Sequence, residues 1–360
     1  DAILMGEAED TLHPVLDRIF AAGSRREALE LLAREIPCSF IPSIHGVHMP
    51  PVAKSDDASL PAHSQIITAD TELRDMFLVE PERGCHRGCM YCVMRRSTND
   101  GMRKFEMERV LSLIPEHATR VGLVGAATTD HPQISDIVEA IVDRGCEVGL
   151  SSLRADRLND RFMAALRRGG QTVLTTASDG ASHRLREMIQ RKNDESVLFR
   201  AAELTRRHGF KRMKLYMMVG LPTETDDDID ELIDFCHRVS KIVPTSLGIA
   251  PFVAKRNTPL DGADFAGIRE VERRLERLRK GVRGKVEIRS TSARWAWVEY
   301  VLAQGGEPEG RAVYEAVKNG GSYRAYKDAF DALPDDRPRR PIVRPGNRLG
   351  RAGALPLVDR

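Results

Sequence analysis

Between residues 77 and 252 the chain alternates between short apolar runs and longer amphipathic stretches. The runs fall at 77–80 (FLVE), 120–124 (RVGLV), 147–151 (EVGLS), 171–175 (QTVLT), 213–219 (MKLYMMV) and 246–252 (SLGIAPF). The stretches at 105–116, 133–144, 158–168, 195–208 and 227–240 carry apolar residues at helical spacing. This alternation predicts parallel strands joined by right-handed crossovers, an α/β fold with its helices outside. Periodicity alone leaves open whether the sheet closes. Past Leu260 the pattern predicts a charged helix over 265–280, a strand over 285–290, and helices near 292–304, 308–319 and 321–331.

The N-terminal end reads differently. Residues 1–22 predict one strand and one helix, the helix from Leu12, Val15, Leu16, Ile19 and Phe20. One strand and one helix cannot bury themselves, so this segment reads as the last piece of an α/β domain. Residues 23–75 hold one helix at about 25–35 and read otherwise as a linker. Residues 332–360 form a basic tail rich in Arg, Pro and Gly, a composition that stays solvated and disordered, with an RNA-binding arm as the alternative.

Composition narrows the class. Hydrophobic residues at 41% are enough for a sizeable core, and a net charge of +2 gives no global attraction to nucleic acid or membrane. No apolar run approaches the ~20 residues of a membrane span, and no apolar signal region opens the chain. Cytoplasmic placement is the expectation. Six cysteines in 360 residues do not make a disulfide framework. Cys38, Cys146 and Cys236 sit in apolar or helical surroundings and read as packed thiols.

The other three cysteines crowd into "PERGCHRGCMYC" (81–92) with the spacing Cys85-x3-Cys89-x2-Cys92. Structural zinc asks for four closed ligands, commonly two separated pairs, and no second pair follows here. Three thiolates suit an iron–sulfur cluster with one iron left open. Gly84 and Gly88 would let backbone N–H groups approach such a cluster, and Arg83 and Arg87 would offset its negative charge.

With Tyr91 before the last cysteine, this triplet resembles the signature of the radical S-adenosylmethionine (radical SAM) superfamily. The resemblance implies a [4Fe–4S] cluster held by Cys85, Cys89 and Cys92, with the open iron chelating the amino and carboxylate groups of SAM. It also implies a six-stranded partial (β/α) barrel over residues 76–262 and a helical C-terminal extension over 263–331. "KLYMMVGLPTETDDDIDE" (214–231), "TTASDGASHRLREMIQRKND" (175–194), "PFVAKRNTPL" (251–260) and "SARWAWVEYVLAQGG" (292–306) most resemble the cobalamin-binding subgroup of that superfamily. Residues 1–22 would then be a remnant of an N-terminal Rossmann-like cobalamin domain. The Asp-x-His-x-x-Gly segment that ligates cobalt in that subgroup is absent from these residues, so cobalamin is expected only if a missing N-terminal domain supplies it. The start on Asp1 favours a truncated chain over a naturally decayed domain.

On this resemblance Tyr91, Gly125, Asp179, Gly220 and Pro222 are candidate SAM contacts. Two departures stand out: Gly125-Ala126-Ala127 replaces a Gly-Gly-Glu motif, and Ser178-Asp179-Gly180-Ala181-Ser182 replaces Pro-Glu-Ala-Gly-Ser. Arg154 ends a strand where barrel enzymes gather function, and an arginine there suits a SAM carboxylate. Alternation admits one of Ser151 and Ser152 to the lumen, and we assign Ser152. "TTDHP" reads as a helix start, with His131 part of it, and "ETDDDIDE" as an acidic first helical turn. The resemblance implies 5′-deoxyadenosyl radical chemistry, with methylation or related tailoring of an unknown substrate and an electron donor such as flavodoxin or ferredoxin. A methylthiotransferase-like RNA or protein modifier, and a non-catalytic iron–sulfur or zinc protein, are the alternatives.

Overall fold

A computed structural model of the protein describes residues 1–46, 48–94, 101–191 and 193–334. The chain divides between Leu60 and Pro61 into two compact units. No helix among the described residues is long and apolar enough to cross a membrane. The expected solvated tail from 335 onward lies outside the described residues.

In the first unit, β1 (Ile3–Leu4) pairs antiparallel with β2 (Ser39–Phe40). A second segment joins it: the Ala53 amide donates to Met5 O at 2.7 Å and the Glu7 amide to Ala53 O at 3.2 Å. Helix Leu12–Ala21 brings Val15 onto Leu32, Ile36, Cys38 and Ile41. Helix Arg25–Glu35 is capped by Ser24, whose hydroxyl accepts from the Glu27 amide at 3.2 Å. Residues 23–60 are therefore not a linker. They supply the strand and the apolar surface that residues 1–22 lack.

The second unit carries the predicted parallel strands. β3 (Phe77–Val79), β6 (Arg120–Leu123) and β7 (Glu147–Leu150) form one parallel sheet in the order β3-β6-β7. β8 (Val173–Asp179), β9 (Arg212–Val219), β10 (Thr245–Pro251) and β11 (Val286–Ser290) form another. A single parallel bridge, Leu153 with Thr176, joins the segment after β7 to β8. The six expected strands all form. The seventh, β11, pairs in parallel with β10, so the sheet runs past the boundary placed at 262. A short antiparallel hairpin, β4 (Glu82–Gly84) with β5 (Met102–Lys104), went unread because strands of three residues carry too little periodicity.

The inner strands of the larger sheet bury one face. On β9, Met213, Leu215, Met217 and Val219 are at most 3% exposed. Helices Glu195–Arg207 and Ile268–Gly281 pack against β9. Beyond β11, helices Ala293–Gln304, Glu307–Lys318 and Tyr323–Asp331 close a small core around Val298, Ala312 and Phe330.

β9 ends in the turn Gly220-Leu221-Pro222. Gly220 has φ +83°, a conformation that glycine adopts without strain. Its amide donates to Glu224 Oε1 at 2.8 Å, and Arg274 reaches the same oxygen at 2.9 Å. Burial pushes the Glu224 carboxyl up, against the pull of the Gly220 amide and Arg274. The acidic run that follows begins helix Asp226–Val239, with Thr225 and Asp228 forming a capping box.

Removing one partner of a buried pair strands the other. Arg274→Met should cost about 3–5 kcal/mol at pH 8 in urea unfolding. Arg277→Met, which breaks an exposed pair with Asp230, should leave the unfolding midpoint almost unchanged. Equal effects from the two would show that the turn does not depend on Glu224.

Candidate iron–sulfur and SAM site

The three cysteines lie in the segment that the β4–β5 hairpin encloses. Cys89 is buried, while Cys85 and Cys92 are half-buried. All three are free thiols, as are the buried Cys38, Cys146 and Cys236. Burial pushes Cys85 and Cys92 up from the ordinary thiol range. Among the described residues, the set whose ligand atoms gather within 4.8 Å is the exposed His183, Glu187 and Asp194, and the three cysteines are spaced more widely. Thiolates on one tetrahedral zinc would lie about 3.8 Å apart.

Neighbouring segments hold this loop. The Met90 amide donates to Ile189 O at 3.1 Å, and the Leu260 amide donates to Met90 O at 3.2 Å. Arg87 Nη2 donates to Arg191 O at 2.8 Å. The Tyr91 hydroxyl donates to Asp179 Oδ2 at 2.8 Å, and Arg191 Nε lies 2.7 Å from that oxygen. The Arg191 guanidinium also reaches the Cys89 thiol. Burial pushes the Asp179 carboxyl up while Arg191 and Tyr91 pull it back. Burial and then the Asp179 charge raise the Tyr91 phenol, which stays protonated.

Asp179 itself sits at φ +63°, where β8 breaks register between Ala177 and Asp179. Strain of this kind persists only where the surroundings over-determine it. Here they do: Asn193 Nδ2 donates to Ala177 O at 3.0 Å, and a Cβ at Gly180 would meet the Arg186 amide at 2.8 Å. The structure thus brings the predicted Tyr91 and Asp179 together directly.

It places the other predicted residues less uniformly. Gly125 packs against Glu82, whose Oε1 would lie 2.2 Å from a Cβ at that position. Arg154, expected to clamp a carboxylate, already has two: Asp130, and Asp156 at 3.0 Å from its Nε. Ser151 and Ser152 are both exposed, because β7 ends at Leu150 and alternation stops with it. Gly220 and Pro222 form the turn braced by Glu224. Arg83, expected to offset cluster charge, is paired with Glu80 at 2.8 Å. The cation at Cys89 is Arg191. His131, read as part of a helix start, is not the cap of helix Ile134–Asp143, which begins after Gln133; its Nδ1 accepts from the Gln133 amide at 3.1 Å, and Nε2 meets Phe105 O at 2.9 Å.

Two residues beside the loop were not expected there: Asp130, read with His131 as part of a helix start, and Glu82, which went unread. Asp130 is buried, with Oδ2 unpaired by hydrogen bonds and 3.7 Å from His86 Nε2. Glu82 is fully buried; Oε1 accepts from the Ala127 amide at 2.8 Å and Oε2 has no partner. Burial chiefly, with the Glu80 and Asp130 charges, pushes its carboxyl up to about 7 against the pull of the Ala127 amide. Its signal in the sequence was an acid three residues before Cys85.

Residues 79–236 match the model of the Radical SAM superfamily. That segment is similar to the radical SAM domains the model describes. The chain is 32% identical over 222 residues to the uncharacterised protein MJ0966 of Methanocaldococcus jannaschii, a match covering 59% of this chain and 49% of that protein. The chain therefore spans about half the length of the curated relative it matches. Among solved structures, SuiB of Streptococcus suis bound to S-adenosylmethionine aligns at TM-score 0.45 and 13% identity, over 64% of this chain and 53% of that one. Coproporphyrinogen III oxidase (HemN) of Escherichia coli aligns at TM-score 0.41 and 15% identity, over 57% and 51%.

The raised Glu82 carboxyl has a definite pH signature. Below pH 4.5 it is protonated in both folded and unfolded chains and contributes nothing. Between 4.5 and about 7 the unfolded chain ionises first, so stability falls, and above that range the deficit is constant. At 1.36 kcal/mol per pH unit the deficit is about 3 kcal/mol. Urea unfolding of the cluster-free protein should show the advantage of Glu82→Gln over wild type growing by that amount from pH 4.5 to 8. A pH-independent difference would return Glu82 to an ordinary carboxylate.

Proposed function

We propose that this chain is a radical SAM enzyme whose cluster is held by Cys85, Cys89 and Cys92. The observation that carries the reading is the clamped, partly buried loop presenting three free thiols within the segment similar to radical SAM domains. A [4Fe–4S] cluster held by these thiols would supply the one-electron reduction on which cleavage of SAM depends.

The chain's own residues account for the rest. Three thiolates are the ligands, and Arg191 offers a donor to the Cys89 sulfur, an interaction that tunes a cluster. Asp179 holds that guanidinium and fixes Tyr91, so the loop need not reorganise to accept the metal. Burial of Cys89 and Met90 keeps water from that side. Arg154, tied to Asp130 and Asp156, is better suited to bracing the loop ends than to gripping a carboxylate. Tyr91, Gly125, Asp179, Gly220 and Pro222 remain the SAM contacts that the family likeness proposes, with Ser152 an exposed further candidate.

The likeness of 214–231 and 251–260 to the cobalamin-binding subgroup supports methylation or a related radical tailoring step as the reaction. A one-electron donor such as flavodoxin or ferredoxin would be the partner. Cobalamin belongs to this reading only if a further domain brings it.

Anaerobic reconstitution tests the assignment. Wild type should take up iron and sulfide in equal amounts and, with dithionite, release 5′-deoxyadenosine from SAM. Cys89→Ala should lose most of the iron and all SAM cleavage, whereas Cys146→Ser should keep both. Full iron and normal cleavage in Cys89→Ala would end the reading.

A further inference from the structure

The inner strand β9 has an unusual open face. Its buried face is Met213, Leu215, Met217 and Val219, but the other carries Lys214, Tyr216 and Met218. Strands inside parallel sheets read as continuous apolar runs, since both faces are covered. Tyr216 breaks that rule: it is 41% exposed although β8 and β10 flank its strand on both sides. It has room to lie flat. Its register partners are Ala177 on β8 and Gly248 on β10, and a Cβ at Gly248 would meet the ring at 3.0 Å.

The charges on this face are as uneven as its shape. Lys214 Nζ lies 4.7 Å from the Tyr216 ring centroid and 3.2 Å from its hydroxyl. No carboxylate pairs with Lys214 among the described residues. One strand over, in register with Ser246 and Gly248, Glu287 and Arg289 extend the row. Glu287 is shared by Arg212 and Arg289, each at 2.7 Å. Three cations thus face one carboxylate. The tyrosine row lies one register step from Asp179, which pairs with Met217 and holds the cysteine loop.

We infer that Lys214 and Tyr216 form the substrate platform of the radical SAM site, and that the substrate is an aromatic ring bearing an anionic group. This rests on the radical SAM reading and names its substrate class. The exposed phenol face offers offset stacking to a flat ring. The unpaired ammonium beside it meets a carboxylate or phosphate on that ring, and the excess positive charge of the row disfavours a cationic ligand. Gly248, lacking a Cβ, leaves the ring room to lie against β10.

The test uses cluster-loaded full chain and three probes followed by ligand-observed NMR: 1-naphthoate, 1-naphthylmethylammonium and cyclohexanecarboxylate. Iron content and SAM cleavage by wild type, measured first, test the radical SAM reading separately from the platform. Wild type should prefer naphthoate to each of the others by about tenfold. Tyr216→Leu should remove the preference over cyclohexanecarboxylate, and Lys214→Met the preference over the ammonium probe. Gly248→Val, which pushes the ring from its seat without touching either side chain's chemistry, should act like Tyr216→Leu. Cluster-loaded wild type that binds no probe, or binds all three alike, would overturn the platform, as would unchanged preferences in all three variants.

Discussion

The cysteine loop depends on one carboxylate. Asp179 accepts the Tyr91 phenol and faces the Arg191 guanidinium, and that guanidinium in turn reaches the Cys89 thiol. A carboxylate so buried needs both partners, because burial otherwise drives it towards the neutral form. The left-handed backbone at Asp179 and the break in β8 register are what aim it at the loop. Ala177 O, held by Asn193, and the Met90–Ile189 bond fix the two sides of the same joint. Ligand geometry for a metal is set here by strand ends, not by the loop's own short sequence.

That division explains what the sequence revealed. Six strands and most helices were legible because periodicity is a local property, and the cysteine spacing was legible because it is covalent. Helix 25–35 was also read where it forms. The pairing of side chains was not legible, since it depends on which loops the strands deliver to one place. Arg154 looked free at a strand end, yet Asp130 and Asp156 arrive from either side of it. Arg83, expected at the cluster, is taken by Glu80 three residues away, while Arg191, which was not read, comes to Cys89 from a hundred residues on for the same reason. Tyr216 and Lys214 were hidden within an apolar run, where only the pairing register shows which face is covered.

The first unit makes the complementary point. Apolar residues at 1–22 were read correctly as incapable of burying themselves, but their cover was sought elsewhere. It comes from Leu32, Ile36, Cys38 and Ile41, whose spacing in a Pro-containing stretch gives no long period. Likewise β11 was expected as a strand and not as a member of the parallel sheet. Strand propensity says nothing of partners.

Glu82 and Gly125 share one volume: the carboxylate occupies the space that a side chain at 125 would need. The two positions are thus locked into a mutual dependence across forty residues of sequence. Enlarging residue 125 alone drives atoms into the carboxyl, and shortening residue 82 alone leaves a hole beside the Ala127 amide. The two changes would be tolerated together far better than either singly, so drift at this site must proceed in paired steps, with the acid before the cysteines surrendered only when the glycine is.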